Sequence, residues 1–422
     1  MKVRTDFVLK DIGQLLTMKG FSEPRRFEAA SEIGLVTDAA LAMYDGKVVW
    51  AGSNEKLNEH CFPADRFEIE SAGGRVVTPG FVDSHTHPIF GAYRHEEFAM
   101  RASGADYEDI AAAGGGILNS VRRTRSAPDS VLHGNMTRHL SIMLSSGTTT
   151  VEAKSGYGLD LLTELRCLEI ARQVAEEAPQ TIVPTFMGAH EVPDEFEGRS
   201  DDYIDFLINR VNPEVKEQGI AKFVDIFCEK GVFTTEQSVR YLSASAAQGF
   251  SLKMHADEFH DTGGAAAAVG VGATSADHLL SISDENIQLM AGSSTVATLL
   301  PGTALFLNKP FPPGRKLLNA GAAVALATDF NPGSCFCDSM PLILSLAVCQ
   351  CGFTVQQALV SATANGAAAL GLAGRKGGLA PGFDADIVIW NCDDFRAIPY
   401  HLGNPDVAVV YCAGRKAYST EH

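Results

Sequence analysis

The chain has 422 residues, 45% hydrophobic and 20% charged, enough to bury a large core and too apolar for a disordered or fibrous protein. Its 34 Lys and Arg against 51 Asp and Glu leave a formal charge of −17, which repels polyanions and argues against nucleic acid as a partner. The densest basic cluster, Arg122, Arg123 and Arg125, reads as a solvated helix face.

The N-terminus, MKVRTDFVLKDIGQLL, lacks an apolar core long enough for a signal peptide. Residues 1–77 read as short strands, with Asp45-Gly46 as a hairpin turn. The far end, residues 376–422, has the same character in PGFDADIVIWN and DVAVVYCAGRKAY. Chain ends often lie close together, so the two pieces are expected to form one composite β-domain.

Residues 78–375 have another rhythm. Eight short apolar runs alternate with amphipathic stretches: VVTPGFVDSHTH, TTTVEAKS, IVPTFMGAH, FVDIFCEKG, FSLKMHADE, ATSADHLL, STVATLLP and AVALATDFNPG. Segments such as LLTELRCLEIARQVAEEA and TTEQSVRYLSASAAQG read as the helices between them. Eight βα units predict an α/β fold, a (β/α)₈ barrel. The uncharged stretch from Ser339 to Gly374 contains Pro341, Asn365 and several Gly, and reads as a buried helix pair rather than a membrane span. Nine Cys without an export signal read as free thiols in a reducing cytoplasm.

Most of the predicted strands end in a polar residue: His85 and His87, Lys154, His190, Glu229, His255, His278 and Asp329. Barrel enzymes build their sites on that edge. In Asp83-Ser84-His85-Thr86-His87 the two imidazoles share one face of a strand, as a divalent metal requires. A third imidazole, His255, has Glu258 three residues on, and Asp329 follows an apolar strand. Three His and one Asp make an open mononuclear site for Zn²⁺ or Fe²⁺, with Glu258 and His278 left as acid and base. Cys335-x-Cys337 and Cys349-x-Cys351 offer a rival thiol site, but their gaps are tighter than structural zinc sites use. Gly114-Gly115-Gly116-Ile117 is a flexible loop over the site or a plain loop, and nothing predicts a nucleotide cofactor.

These motifs resemble the metal-dependent amidohydrolase superfamily. PGFVDSHTH, the later strand-end His, Asp329 in ATDFNPGS and PGFDADIVIW carry the resemblance. KSGYGL, FCEKGVF, TFMGAHEVP and LKMHADEF narrow it to the imidazolonepropionase family. The resemblance implies a barrel of the amidohydrolase type with a small β-sandwich domain from both termini. It implies hydrolysis of a cyclic amide in histidine degradation, a small-molecule substrate, no nucleic-acid or membrane partner, a homodimer and a cytoplasmic location. His85, His87, His255 and Asp329 look like the metal ligands, with Asp329 also catalytic. Glu258 looks like the group that deprotonates water, assisted by His278. Arg94, Tyr107, Tyr157, His190, Asn331, Gly333 and Ser334 look like substrate contacts. Tyr93 and Cys335-Phe336-Cys337 depart from the family pattern.

The same residues leave rivals open. A deaminase of the superfamily would share the His255–Glu258 arrangement but would release ammonia. A binding scaffold on this barrel would be expected to have lost its ligands. The predicted strand before His190 ends in that residue rather than in a Lys that could bridge two ions, which favours one metal; Lys154, one strand earlier, is the near alternative.

Overall fold

The computed structural model describes residues 2–20, 23–105, 109, 114–404 and 406–420. Tyr107 lies outside the described residues.

Two eight-stranded sheets organise the described residues. The first draws on both ends of the chain. It contains β1 (Val3–Leu16), β2 (Leu35–Tyr44), β3 (Lys47–Ser53), β4 (Cys61–Ser71), β5 (Val76–Pro79), β14 (Ile387–Trp390), β15 (Val407–Cys412) and β16 (Arg415–Ser419). Its order is β16-β15-β14-β5-β1-β2-β3, with β4 also paired to β1. Strand β5 joins the two termini, running parallel to β1 and antiparallel to β14. A core of Leu9, Ile12, Leu41, Val77, Ile387 and Val409 fills one side of this sheet.

The second sheet is the barrel. Strands β6 (Phe81–Asp83), β7 (Thr148–Lys154), β8 (Thr181–Ala189), β9 (Phe223–Cys228), β10 (Ser251–Ala256), β11 (Ser275–His278), β12 (Val296–Leu299) and β13 (Val324–Leu326) pair in chain order. Every pairing is parallel. Each predicted strand of residues 78–375 coincides with one of these eight to within a residue or overlaps it. The run VVTPGFVDSHTH holds two strands, β5 in the terminal sheet and β6 in the barrel, separated only by Gly80. A Cβ at Gly80 would lie 2.1 Å from Thr149 Oγ1, so the crossing between sheets needs a residue without one.

Local chemistry explains the helices. Asp160 accepts from Thr163 N and starts the helix Leu161–Glu177, whose Leu168, Ala171 and Val174 face inward at helical spacing. Thr234 and Gln237 form a capping box at the helix Thr235–Ala247. Residues 339–374 form three short helices rather than a pair: Met340–Gln350, Val355–Ser361 and Ala364–Ala369. Gly352, with φ +75°, and Thr363 break the run, because each takes a backbone conformation a continuing helix does not. No helix among the described residues is long and apolar enough to cross a membrane.

The barrel closes where the polar strand ends meet. Thr86 bridges Phe330, His87 N donates to Phe330 O at 2.8 Å, and Asp329 N donates to His85 O at 3.1 Å. Closure therefore brings the first and last strands together at the level of His85, His87 and Asp329.

Candidate active site

His85, His87 and His255 present ring nitrogens within 4.8 Å of one another, and His85, His278 and Asp329 form a second such group. His85 Nε2 and His87 Nε2 stand 3.5 and 3.7 Å from Asp329 Oδ1. All five side chains are buried. His85 Nε2 and His255 Nε2 have no hydrogen-bond partner. Buried polar atoms are almost always paired, so convergent lone pairs without partners fit a cation. The described groups that could hold an ion contain no cysteine. Cys335 Sγ instead donates to Thr328 O at 3.2 Å, and Cys349 is exposed.

Tautomers follow from the partners behind the rings. Asp277 Oδ2 lies 2.7 Å from His85 Nδ1, which places the proton on Nδ1 and leaves Nε2 a lone pair. His255 Nδ1 lies 3.1 Å from Asp225 Oδ2, within ion-pair reach but without hydrogen-bond geometry. Burial holds the pKa of His85, His87 and His278 well below the ordinary imidazole range. Neutral imidazoles are what a divalent ion binds.

Glu258 is buried, and its Oε1 is 3.6 Å from His278 Nδ1. Burial first, then the nearby Asp329 and Glu229, push its carboxyl well above the usual range. A raised carboxyl can exchange a proton near neutrality. Glu229 shapes the turn beyond it by accepting from Phe259 N at 2.8 Å. Several residues at the site hold positive φ: Asp257, His278, Leu279 and Asp329. Such strain clusters at working sites because packing elsewhere over-determines it.

Three of the residues implied as substrate contacts by the resemblance meet at the mouth. Tyr157 and His190 pack with ring centroids 5.2 Å apart, and His190 stacks on His87 at 5.0 Å. Gly156 O accepts from His190 Nδ1 at 2.9 Å, so Nε2 is left as an acceptor. Burial lowers His190 to about 3, which keeps it neutral. Arg94 precedes the helix His95–Ala102, and its Nε and Nη2 donate to Glu97 at 2.9 and 2.6 Å. Nη1 takes no part in these two bonds. A Cβ on Gly333 would lie 1.9 Å from that Nη1, so a glycine there makes room for the guanidinium.

Asn331 and Ser334 sit on the same loop, but Asn331 is turned into it. Its Oδ1 accepts from Gly333 N and Ser334 N, and its Nδ2 donates to Asp329 O. It shapes the loop next to Asp329. Tyr93 and Phe336 of the Cys335-Phe336-Cys337 stretch, where the chain departs from the family pattern, touch each other with centroids 5.5 Å apart in a cluster with Phe90, His139 and Phe330.

Sequence reasoning missed two carboxylates that build this mouth. Glu97 ties Arg94 to the Gly114–Gly116 run by accepting from Gly116 N and Asn119 Nδ2, each at 3.2 Å. Glu164 accepts from the backbone of Gly156, Gly158 and Leu159, holding the turn that carries Tyr157. Both sit on amphipathic helices where a Glu reads as solvent-facing. Replacing Glu164 by Ala leaves three buried N–H donors unpaired and should cost about 3 kcal/mol of stability or more. Urea denaturation measures this; unchanged stability would show that the turn holds itself.

Comparison with known proteins agrees with this geometry. The profile of the Amidohydrolase family matches residues 76–417. The imidazolonepropionase of Parabacteroides distasonis is 45% identical over 396 residues, covering 94% of this chain and 95% of that protein. That of Porphyromonas gingivalis is 44% identical, covering 97% of each. Among solved structures, an adenosine deaminase from Xanthomonas campestris with bound zinc superimposes with a TM-score of 0.70 at 16% identity. It covers 100% of this chain and 96% of that one, and at that identity it speaks for the fold. Family profile, curated relatives and the convergent strand ends agree: the chain belongs to the amidohydrolase family and, within it, to the imidazolonepropionases.

Proposed function

We propose that this site hydrolyses the cyclic amide C–N bond of 4-imidazolone-5-propanoate, giving N-formimidoyl-L-glutamate. The supporting observation is the convergence of unpartnered His85 and His255 nitrogens, His87 and Asp329 beside a raised Glu258. The relatives that share most of this sequence carry the name of that activity.

His85, His87, His255 and Asp329 would hold one divalent cation, Zn²⁺ or Fe²⁺, because imidazole and carboxylate donors suit both. When bound, such an ion makes water acidic enough to supply hydroxide at neutral pH. Glu258 takes the proton of the attacking water and returns it to the departing ring nitrogen. His278 lies beside it and donates to the carbonyl oxygen as negative charge grows there. Arg94 Nη1 receives the propionate carboxylate, oriented by the two bonds to Glu97. Tyr157 and His190 face the ring, with His190 Nε2 accepting from a ring N–H.

Turnover of 4-imidazolone-5-propanoate by the purified chain, with product quantified, tests this. We expect rapid turnover that a chelator abolishes and that Zn²⁺ or Fe²⁺ restores. Ammonia release from an amino-substituted base, without ring opening of the imidazolone, would overturn the assignment in favour of a deaminase.

A further inference from the structure

Below the histidines the barrel interior is ionic. TIM-type barrels fill that layer with branched apolar side chains. Here it holds Glu152 and Lys154 of β7, Asp225 of β9, Lys253 of β10 and Asp277 of β11, all fully buried. Lys154 Nζ lies 2.6 Å from Asp225, 3.0 Å from Glu152 and 3.9 Å from Asp277. Lys253 Nζ lies 2.9 Å from Glu152 and 3.5 Å from Asp277, and donates to Ser84 O at 2.7 Å. Ions so deeply buried are costly to desolvate and are kept only in a closed, paired network.

Two features tie this layer to the centre above it. Asp277 and Asp225 are the carboxylates behind His85 and His255. His85, Glu152 and Asp277 also form a third group whose ligand atoms lie within 4.8 Å of one another, a donor set a cation could use. Lys253 Nζ already stands against both of its carboxylates.

We propose that Lys154 and Lys253 act as a built-in second cation. Their ammonium groups hold Asp277 and Asp225 in place behind His85 and His255, and they fill the acidic layer that would otherwise admit a second metal ion. Both are positioning residues, acting on the centre through the two carboxylates. The inference rests on the metal centre proposed above, and it explains why a Lys near the end of a barrel strand accompanies one ion rather than bridging two.

The test measures the metal-to-protein ratio after loading with Zn²⁺ and dialysis, together with the rate of zinc loss to a chelator. Wild type should hold one zinc. Lys253→Ala should hold two, and should surrender its zinc about 10-fold faster or more. The double variant Glu152→Gln with Lys253→Met removes one charge of each sign, leaving the layer's balance as before. It should hold one zinc and lose it within about threefold of the wild-type rate. Lys253→Ala holding one zinc at the wild-type rate overturns the inference. So does a double variant that loses zinc as fast as Lys253→Ala, because restoring the charge balance then fails to restore the centre. If Lys253→Ala does not fold, the double variant decides alone: one zinc at near wild-type rate supports the inference, and faster loss or failure to fold overturns it. A wild-type chain that holds no zinc removes the metal centre itself, an outcome distinct from any difference among the variants.

Discussion

Replacing Glu258 by Gln is expected to leave the metal bound and to lower kcat by about 10²- to 10⁴-fold, the range that a positioned acid–base group contributes. Glu258 is 3.6 Å from His278 and is not among the groups that converge as ligands. The amide preserves its volume in a buried site but can neither accept nor return the proton. Both halves of the reaction fail, so kcat falls while KM changes little. Metal analysis and steady-state kinetics on one preparation decide this. Loss of metal would make Glu258 a ligand, and near-full turnover would remove it from the chemistry.

Replacing Arg94 by Met should do the reverse. In the proposed reaction the guanidinium would touch the part of the substrate that does not react, so its loss should weaken ground state and transition state together. A charge-assisted pair is worth about 2–3 kcal/mol, so KM should rise about 30- to 150-fold with a smaller fall in kcat. Gly333→Ala offers an independent version, because its Cβ would displace Nη1 without removing the charge. It should raise KM in the same direction. If KM stays unchanged in both variants, the carboxylate of the substrate is held elsewhere.

The strand-end residues were legible because each follows an apolar run that gains nothing from ending in a polar side chain. His85, His255, His278 and Asp329 announce themselves in this way. Charges inside strands offered a similar signal that went unused. Asp225 within FVDIFC and Lys253 within SLKMHA interrupt apolar runs, and both prove fully buried partners in the ionic layer. Glu97 and Glu164 left no such signal, since a Glu on an amphipathic helix has the same spacing whether it meets water or a backbone turn. The split of VVTPGFVDSHTH between two sheets was equally hidden. Its apolar pattern is continuous, and only the tight contact of Gly80 with Thr149 marks the crossing.

By itself, then, the sequence determined the alternation of strands and helices, the β-rich ends and the chemical types at the strand ends, because burial periodicity and residue chemistry are local properties. Tertiary structure alone decided which of those ends converge, which Nδ1 stands against which carboxylate, and that Lys154 and Lys253 pair with the carboxylates of the layer beneath. Those depend on barrel closure between Thr86 and Phe330, which sets residues more than 240 positions apart side by side. No local pattern encodes a distance that exists only once the first and last strands have met.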